Sequence, residues 1–148
     1  MDIKVIVGVV LVKDNKILMV QEGKSHCFKK WNLPGGHLEY GENIMISATR
    51  EVYEETGYKI KIKNLVGVYN YISPTENHCL LFNFIGEITG GELKFDGKEI
   101  LNVKWFSLDE LRKTNNSQIR APKIIRKIIE DVEKDNVYSL RILKDFLK

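Results

Sequence analysis

The chain has 148 residues, enough for one ordinary domain and too few for two comfortable ones. Its 43% hydrophobic and 29% charged content excludes a disordered chain, two cysteines exclude a disulfide scaffold, and 11 glycines with 3 prolines exclude collagen-like or low-complexity classes. The net charge of +3 is dispersed, with 10 basic and 10 acidic side chains in residues 1–88 against 13 and 10 in residues 89–148, so there is no basic arm or acidic tail to argue for a nucleic-acid binder.

The apolar run Val5–Val12 is too short to span a bilayer. Asp2 before it and Lys13-Asp14-Asn15-Lys16 after it do not suit a signal peptide. With Ile17–Gln21 it reads as a β-hairpin turning at Asp14-Asn15. Residues 23–30 read as a loop, and Trp31–Leu33 as a short strand stopped by Pro34-Gly35-Gly36. Residues 43–56 form a predicted helix with Met45, Ala48 and Val52 as its apolar stripe and Gly57 as its stop. Strands follow at Ile60–Ser73, Cys79–Ile88 and Val103–Phe106. Ser107-Leu108-Asp109-Glu110 fits a capping box opening a short helix, Leu108–Lys113. Ile124, Ile125, Ile128, Ile129 and Val132 space as a helix after Pro122, and Val137, Leu140, Leu143 and Phe146 predict a final one. The chain reads as α+β, one domain over residues 1–148, cytoplasmic, with Cys27 and Cys79 as reduced thiols.

Residues 36–58 carry the chemistry. Glu51, Glu54 and Glu55 stand at i, i+3 and i+4, on one helix face roughly 100° wide. Like charges so placed repel, and Arg50 is expected to pair with only one or two of them. A hard divalent cation would offset the rest. A solvated acidic face is the plain alternative. The surroundings shift the balance toward a cation: Gly36, Glu42, Arg50, Glu51, Val52, Glu54, Glu55, Gly57 and Tyr58 meet the pattern Gly-x5-Glu-x7-Arg-Glu-(apolar)-x-Glu-Glu-x-Gly-(apolar). Seven positions fixed in type, at background frequencies near 7%, give a chance of roughly 10⁻⁸ per start position.

This segment resembles the Nudix box of the Nudix (MutT-like) hydrolases, with Tyr58 standing where the family usually has an aliphatic residue. Trp31–Gly36 and Trp105–Leu111 extend the likeness, which covers about residues 3–113 and leaves a C-terminal extension over about residues 118–148. The resemblance implies a Nudix fold, an α/β/α sandwich around a mixed β-sheet, here with extra C-terminal helices. It also implies a Mg²⁺-dependent hydrolase, with Mn²⁺ as the other candidate ion, cleaving the diphosphate bond of a nucleoside diphosphate linked to another group. By matching positions, Glu51, Glu54 and Glu55 are the expected metal ligands, with the Gly36 carbonyl as a further one. Arg50 orients a neighbouring carboxylate in the catalytic set. Glu42 is either a ligand or a carboxylate favoured by the helix N-terminus. A glutamate from a later loop is expected to be ligand or base, and Glu99, six residues before Trp105, suits it better than Glu92. The general base stays open between Glu51, Glu54 and Glu99.

For the substrate's remaining parts, Lys24, Lys29 and Lys30 are candidates to meet phosphate or ribose, against a plain surface role. Tyr71, Tyr69 and Phe28 are candidates to stack on a base, against packing. His26, His37 and His78 have no metal-ligand spacing. Pro74, 16 residues beyond Tyr58, matches a marker of ADP-ribose hydrolases, while the segment Gln118–Pro122 lacks the asparagine of oxidised-guanine enzymes. ADP-ribose or another nucleotide sugar, a (deoxy)nucleoside triphosphate and the 5′ end of an RNA are therefore the expected substrate classes. A catalytically silent nucleotide-sensing module is the rival reading. The extension is expected to cap the sheet, border the pocket or form a homodimer interface.

Overall fold

The computed structural model describes residues 2–147. β1 (Ile3–Lys13) and β2 (Lys16–Glu22) form the expected hairpin. Its two turn residues, Asp14 and Asn15, both take positive φ (52° and 60°), the geometry that matches strand twist and that Asp and Asn tolerate. Two short strands follow, β3 (Trp31–Asn32) and β4 (Gly35–His37). Helix α1 spans Ile44–Thr56. The Asn43 side chain caps it by accepting the Met45 and Ile46 N–H groups, and Gly57 ends it at φ +78°, where a Cβ would be strained.

β5 (Tyr58–Ile72), β6 (His78–Gly91) and β7 (Ile100–Ser107) complete the strands. Helix α2 (Leu108–Lys113) opens with both arms of the capping box: the Glu110 N–H donates to Ser107 Oγ at 3.1 Å, and the Ser107 N–H to Glu110 Oε1 at 3.2 Å. Helix α3 spans Pro122–Glu133. None of the described helices is long and apolar enough to cross a membrane.

The sheet is mixed, ordered β3-β2-β1-β6-β5, with β4 added to β1 and β7 to β2. Only β1 and β6 run parallel. Alternation along β1 sends Val7, Val9 and Leu11 to one face, where they meet Ala48 and Val52 of α1. Val10 and Ile6 turn to the other face, against Ile125, Ile128 and Ile129 of α3 and Leu111 of α2. The α/β/α layering follows from that alternation.

Two expectations change. Pro34-Gly35-Gly36 is more than a stop, because Gly35–His37 is a strand paired with Ile6–Gly8. The final helix is absent, and only a 3-10 turn forms at Leu140–Ile142. Tyr138 exchanges both backbone hydrogen bonds with Leu65 (2.7 and 3.0 Å), which commits the chain to an extended path within the first turn of the expected helix. Leu140 and Leu143 still pack on the α1-side core, since i, i+3 spacing also fits a single 3-10 turn.

Candidate active site

β1 meets β2 only at Val12 and Lys13. Farther back β1 pairs with β4, while β2 turns away to pair with β3 and β7. The divergence opens a cavity of about 510 Å³, bounded by these strands, by α1 and by the start of α3.

Helix α1 supplies one wall. Ala48 and Val52 are fully buried on its sheet side, which turns Glu51, Glu54 and Glu55 together into the cavity. Arg50 organises this face. Its Nε and Nη2 donate to the two oxygens of Glu42 at 2.6 and 2.9 Å, and its Nη1 to Glu51 at 2.9 Å and Glu54 at 3.1 Å. Of Glu51, Glu54 and Glu55, Arg50 thus pairs with two, as expected, and it serves Glu42 besides, with Glu39 at 3.8 Å. The fork also holds the Glu42 carboxyl down at about 2. Glu42 is engaged by Arg50 and is absent from the cavity lining, which favours a structural role over a ligand one.

Glu55 lies deepest. It accepts the Gly35 N–H at 2.9 Å, and burial pushes its carboxyl up to about 8 despite that bond. Burial also raises Glu51, although Arg50 opposes it. Of the two carboxyls, only Glu51 has a cation paired with it, and Glu55 has none within ion-pair distance among the described residues. Gly36 lies against them so closely that a Cβ there would overlap the Glu51 carboxyl. Among the described residues no three His, Cys, Asp or Glu side chains form a ready-made metal cage. The donor chemistry, carboxylates packed against the Gly36 backbone, nevertheless fits a hard divalent cation.

A NUDIX domain model matches residues 2–128. The chain belongs to the NUDIX family. It is 40% identical over 108 residues, 70% of this chain and 62% of the relative, to an ADP-ribose pyrophosphatase of Methanocaldococcus jannaschii. It is 30% identical over 146 residues, 96% of this chain and 91% of the relative, to the phosphatase NudJ of Shigella boydii. The solved NUDIX hydrolase from Nitrosomonas europaea superimposes with a TM-score of 0.90 at 34% identity, covering 98% of both chains. The chain spans less than two thirds of the length of the first curated relatives it matches.

The NUDIX cavity gathers most residues singled out in the sequence. Gly36, Glu51, Glu54, Glu55, Glu99, Lys24, Lys30 and Tyr71 all line it; Glu92 does not. Arg50 is not part of the lining and acts on the cavity through the carboxylates. The Glu99 loop is fixed by the Gly23 N–H, which donates to the Glu99 carbonyl at 2.8 Å. Pro74 also reaches the cavity. Tyr69 does not, because its phenol donates to Asp131 of α3 at 2.7 Å, and Phe28 is exposed outside it.

Among the lining residues that were not singled out are Glu22, Arg120 and Asn83. Glu22 and Arg120 form an ion pair at 2.7 Å with the carboxylate mostly buried, which joins the C-terminal extension to the cavity wall. No local pattern marks them, since they lie 98 residues apart. Asn83 interrupts the apolar run Cys79–Ile85, and that interruption was the available signal.

Proposed function

We propose that this NUDIX chain hydrolyses a phosphoric anhydride bond in a nucleoside diphosphate linked to another group. Nucleotide sugars such as ADP-ribose and nucleoside triphosphates are its candidate substrates, and Mg²⁺ or Mn²⁺ its ion. The observation that carries the reading is the convergence of Glu51, Glu54 and Glu55, with the Gly36 backbone, on one wall of a cavity large enough for a nucleotide. These residues would hold the cation, which when bound neutralises charge on the diphosphate oxygens.

The protein's own groups do the rest. Arg50 fixes the Glu51 and Glu54 rotamers, so the carboxylates are set before substrate arrives. Lys24 and Lys30, on the loop between β2 and β3, meet the phosphate charge. The Glu99 carboxylate has no hydrogen-bond or ion-pair partner among the described residues, whereas those of Glu51 and Glu54 are engaged by Arg50. We therefore assign the base to Glu99: a water oxygen attacks phosphorus, its proton passes to Glu99, and the anhydride P–O bond breaks to release the second phosphate group.

The test is a panel of ADP-ribose, other nucleotide sugars, (deoxy)nucleoside triphosphates, dinucleoside polyphosphates and a 5′-triphosphate RNA, each with Mg²⁺ and with chelator. Metal-dependent cleavage of one class is expected. Silence across the panel, with nucleotide binding retained, would replace the enzyme with a nucleotide-sensing module.

A further inference from the structure

Strand β6 runs between β1 and β5. On its α3 face the side chains are Cys79, Leu81, Asn83 and Ile85, and one of these four does not belong in an apolar layer. Asn83 is 1% exposed, yet neither its Oδ1 nor its Nδ2 has a hydrogen-bond partner. Buried amides are ordinarily paired, and an unpaired one is worse for stability than an apolar side chain of the same shape. Among the described residues, only the Ser47 hydroxyl is a comparable orphan.

The neighbours of Asn83 are equally unusual. Its register partners are Gly8 on β1 and Gly67 on β5, and Gly8 is itself paired with Gly35 on β4. Across four strands the row reads Gly, Gly, Asn, Gly, so neither register partner puts a side chain of its own beside the amide. Tyr69 lies over Gly67. The open flank is therefore Gly8, where a Cβ would come within 2.8 Å of Asn83 Nδ2. Gly8, Leu81 and Asn83 all border the cavity. The same row includes Gly35, whose N–H anchors Glu55. Asn83 thus stands two strand spacings, roughly 10 Å, from the strand that holds the box carboxylates.

We propose that Asn83 is a specificity-determining residue, whose amide reads a substrate ring edge bearing a hydrogen-bond donor next to an acceptor. One planar amide supplies one acceptor and one donor side by side. The amino group and ring nitrogen of adenine match it, as do the adjacent N–H and C=O of hypoxanthine or uracil. The inference takes its ring class from the nucleotide reading above, but it concerns binding and does not require turnover.

The experiment is calorimetric titration of the full chain, in chelator, with the 5′-monophosphates of adenosine, inosine, uridine and unsubstituted purine riboside. Wild type is expected to bind at least one of the first three about 10-fold or more tighter than the purine riboside. The member preferred identifies the edge that is read. Asn83→Leu should abolish the preference while melting at the same or a higher temperature. Gly8→Ala, which displaces the amide, should weaken the preference and serves if Asn83→Leu does not fold. Equal binding of all four by wild type, or no binding of any, overturns the proposal. So does a preference that survives Asn83→Leu, above all with a lowered melting temperature, which is the signature of a purely structural amide. Discrimination in binding without hydrolysis in the substrate panel would reject the enzyme reading and leave this one standing.

Discussion

Replacing Glu42 by Gln removes one partner of the shortest charged contact on the box face, the 2.6 Å bond from Arg50 Nε. Arg50 holds the Glu42 carboxyl at about 2 against a usual 4.5. At 1.36 kcal/mol per pKa unit that difference corresponds to an upper bound of ~3.4 kcal/mol. The Glu42 side chain is 14% exposed, so water relieves part of the effect, and the glutamine retains a neutral hydrogen bond. A loss of about 2 kcal/mol is expected, equivalent to a fall of roughly 4–8 °C in Tm for a chain of this length. Because the folded pKa lies below the unfolded one, the stabilisation is complete above the unfolded value of 4.5 and disappears as pH falls through about 2. Urea unfolding of wild type and Glu42→Gln from pH 7 to pH 3 should show a gap that shrinks to about half or less at pH 3. A gap constant with pH, or one below about 0.5 kcal/mol at pH 7, would refute the claim that this ion pair is the main support of the box face.

Glu54→Gln and Glu55→Gln should each lower turnover by about 10²-fold or more with an unchanged far-UV spectrum, and near-normal rates in both would remove them from the ion site. Gly57→Ala should cost about 1–2 kcal/mol in urea unfolding, since position 57 sits at φ +78° and its Cβ would press on the Glu92 carbonyl. Arg120→Met should cost about 2 kcal/mol by leaving Glu22 mostly buried and unpaired, and Glu22→Gln in the same chain should recover most of it. A coupling under about 0.5 kcal/mol in that double-mutant cycle would show the pair to be incidental.

Where a segment's own residues decide its conformation, the sequence was a good guide. The hairpin turn at Asp14-Asn15, the Gly57 stop and the capping box at Ser107 are local devices, and each stands where it was read. The stretches that misled are those governed by a distant partner. Gly35–His37 has poor strand propensity and becomes a strand because Ile6–Gly8 leaves an edge free for it. Residues 137–146 carry a plausible helical stripe, and the bridge from Tyr138 to Leu65, 73 residues away in sequence, overrides it.

The candidate site divides the same way. Its acidic wall is written in one helical turn, so spacing alone put Glu51, Glu54 and Glu55 together. Its opposite wall is assembled from β2, the Glu99 loop, β6 and the segment before α3, which share no sequence neighbourhood. Residue chemistry could nominate Lys24, Lys30 and Tyr71, which suit a phosphate or a ring, and the family resemblance could nominate Glu99. It could not nominate Arg120, which depends on Glu22 for its orientation, or Asn83, which depends on two glycines for its room. The acidic half of such a cavity can therefore be read from one helix. The opposite half arises from contacts between strands and requires the fold, and for that reason the proposed role of the unpaired Asn83 amide could be drawn only from the structure.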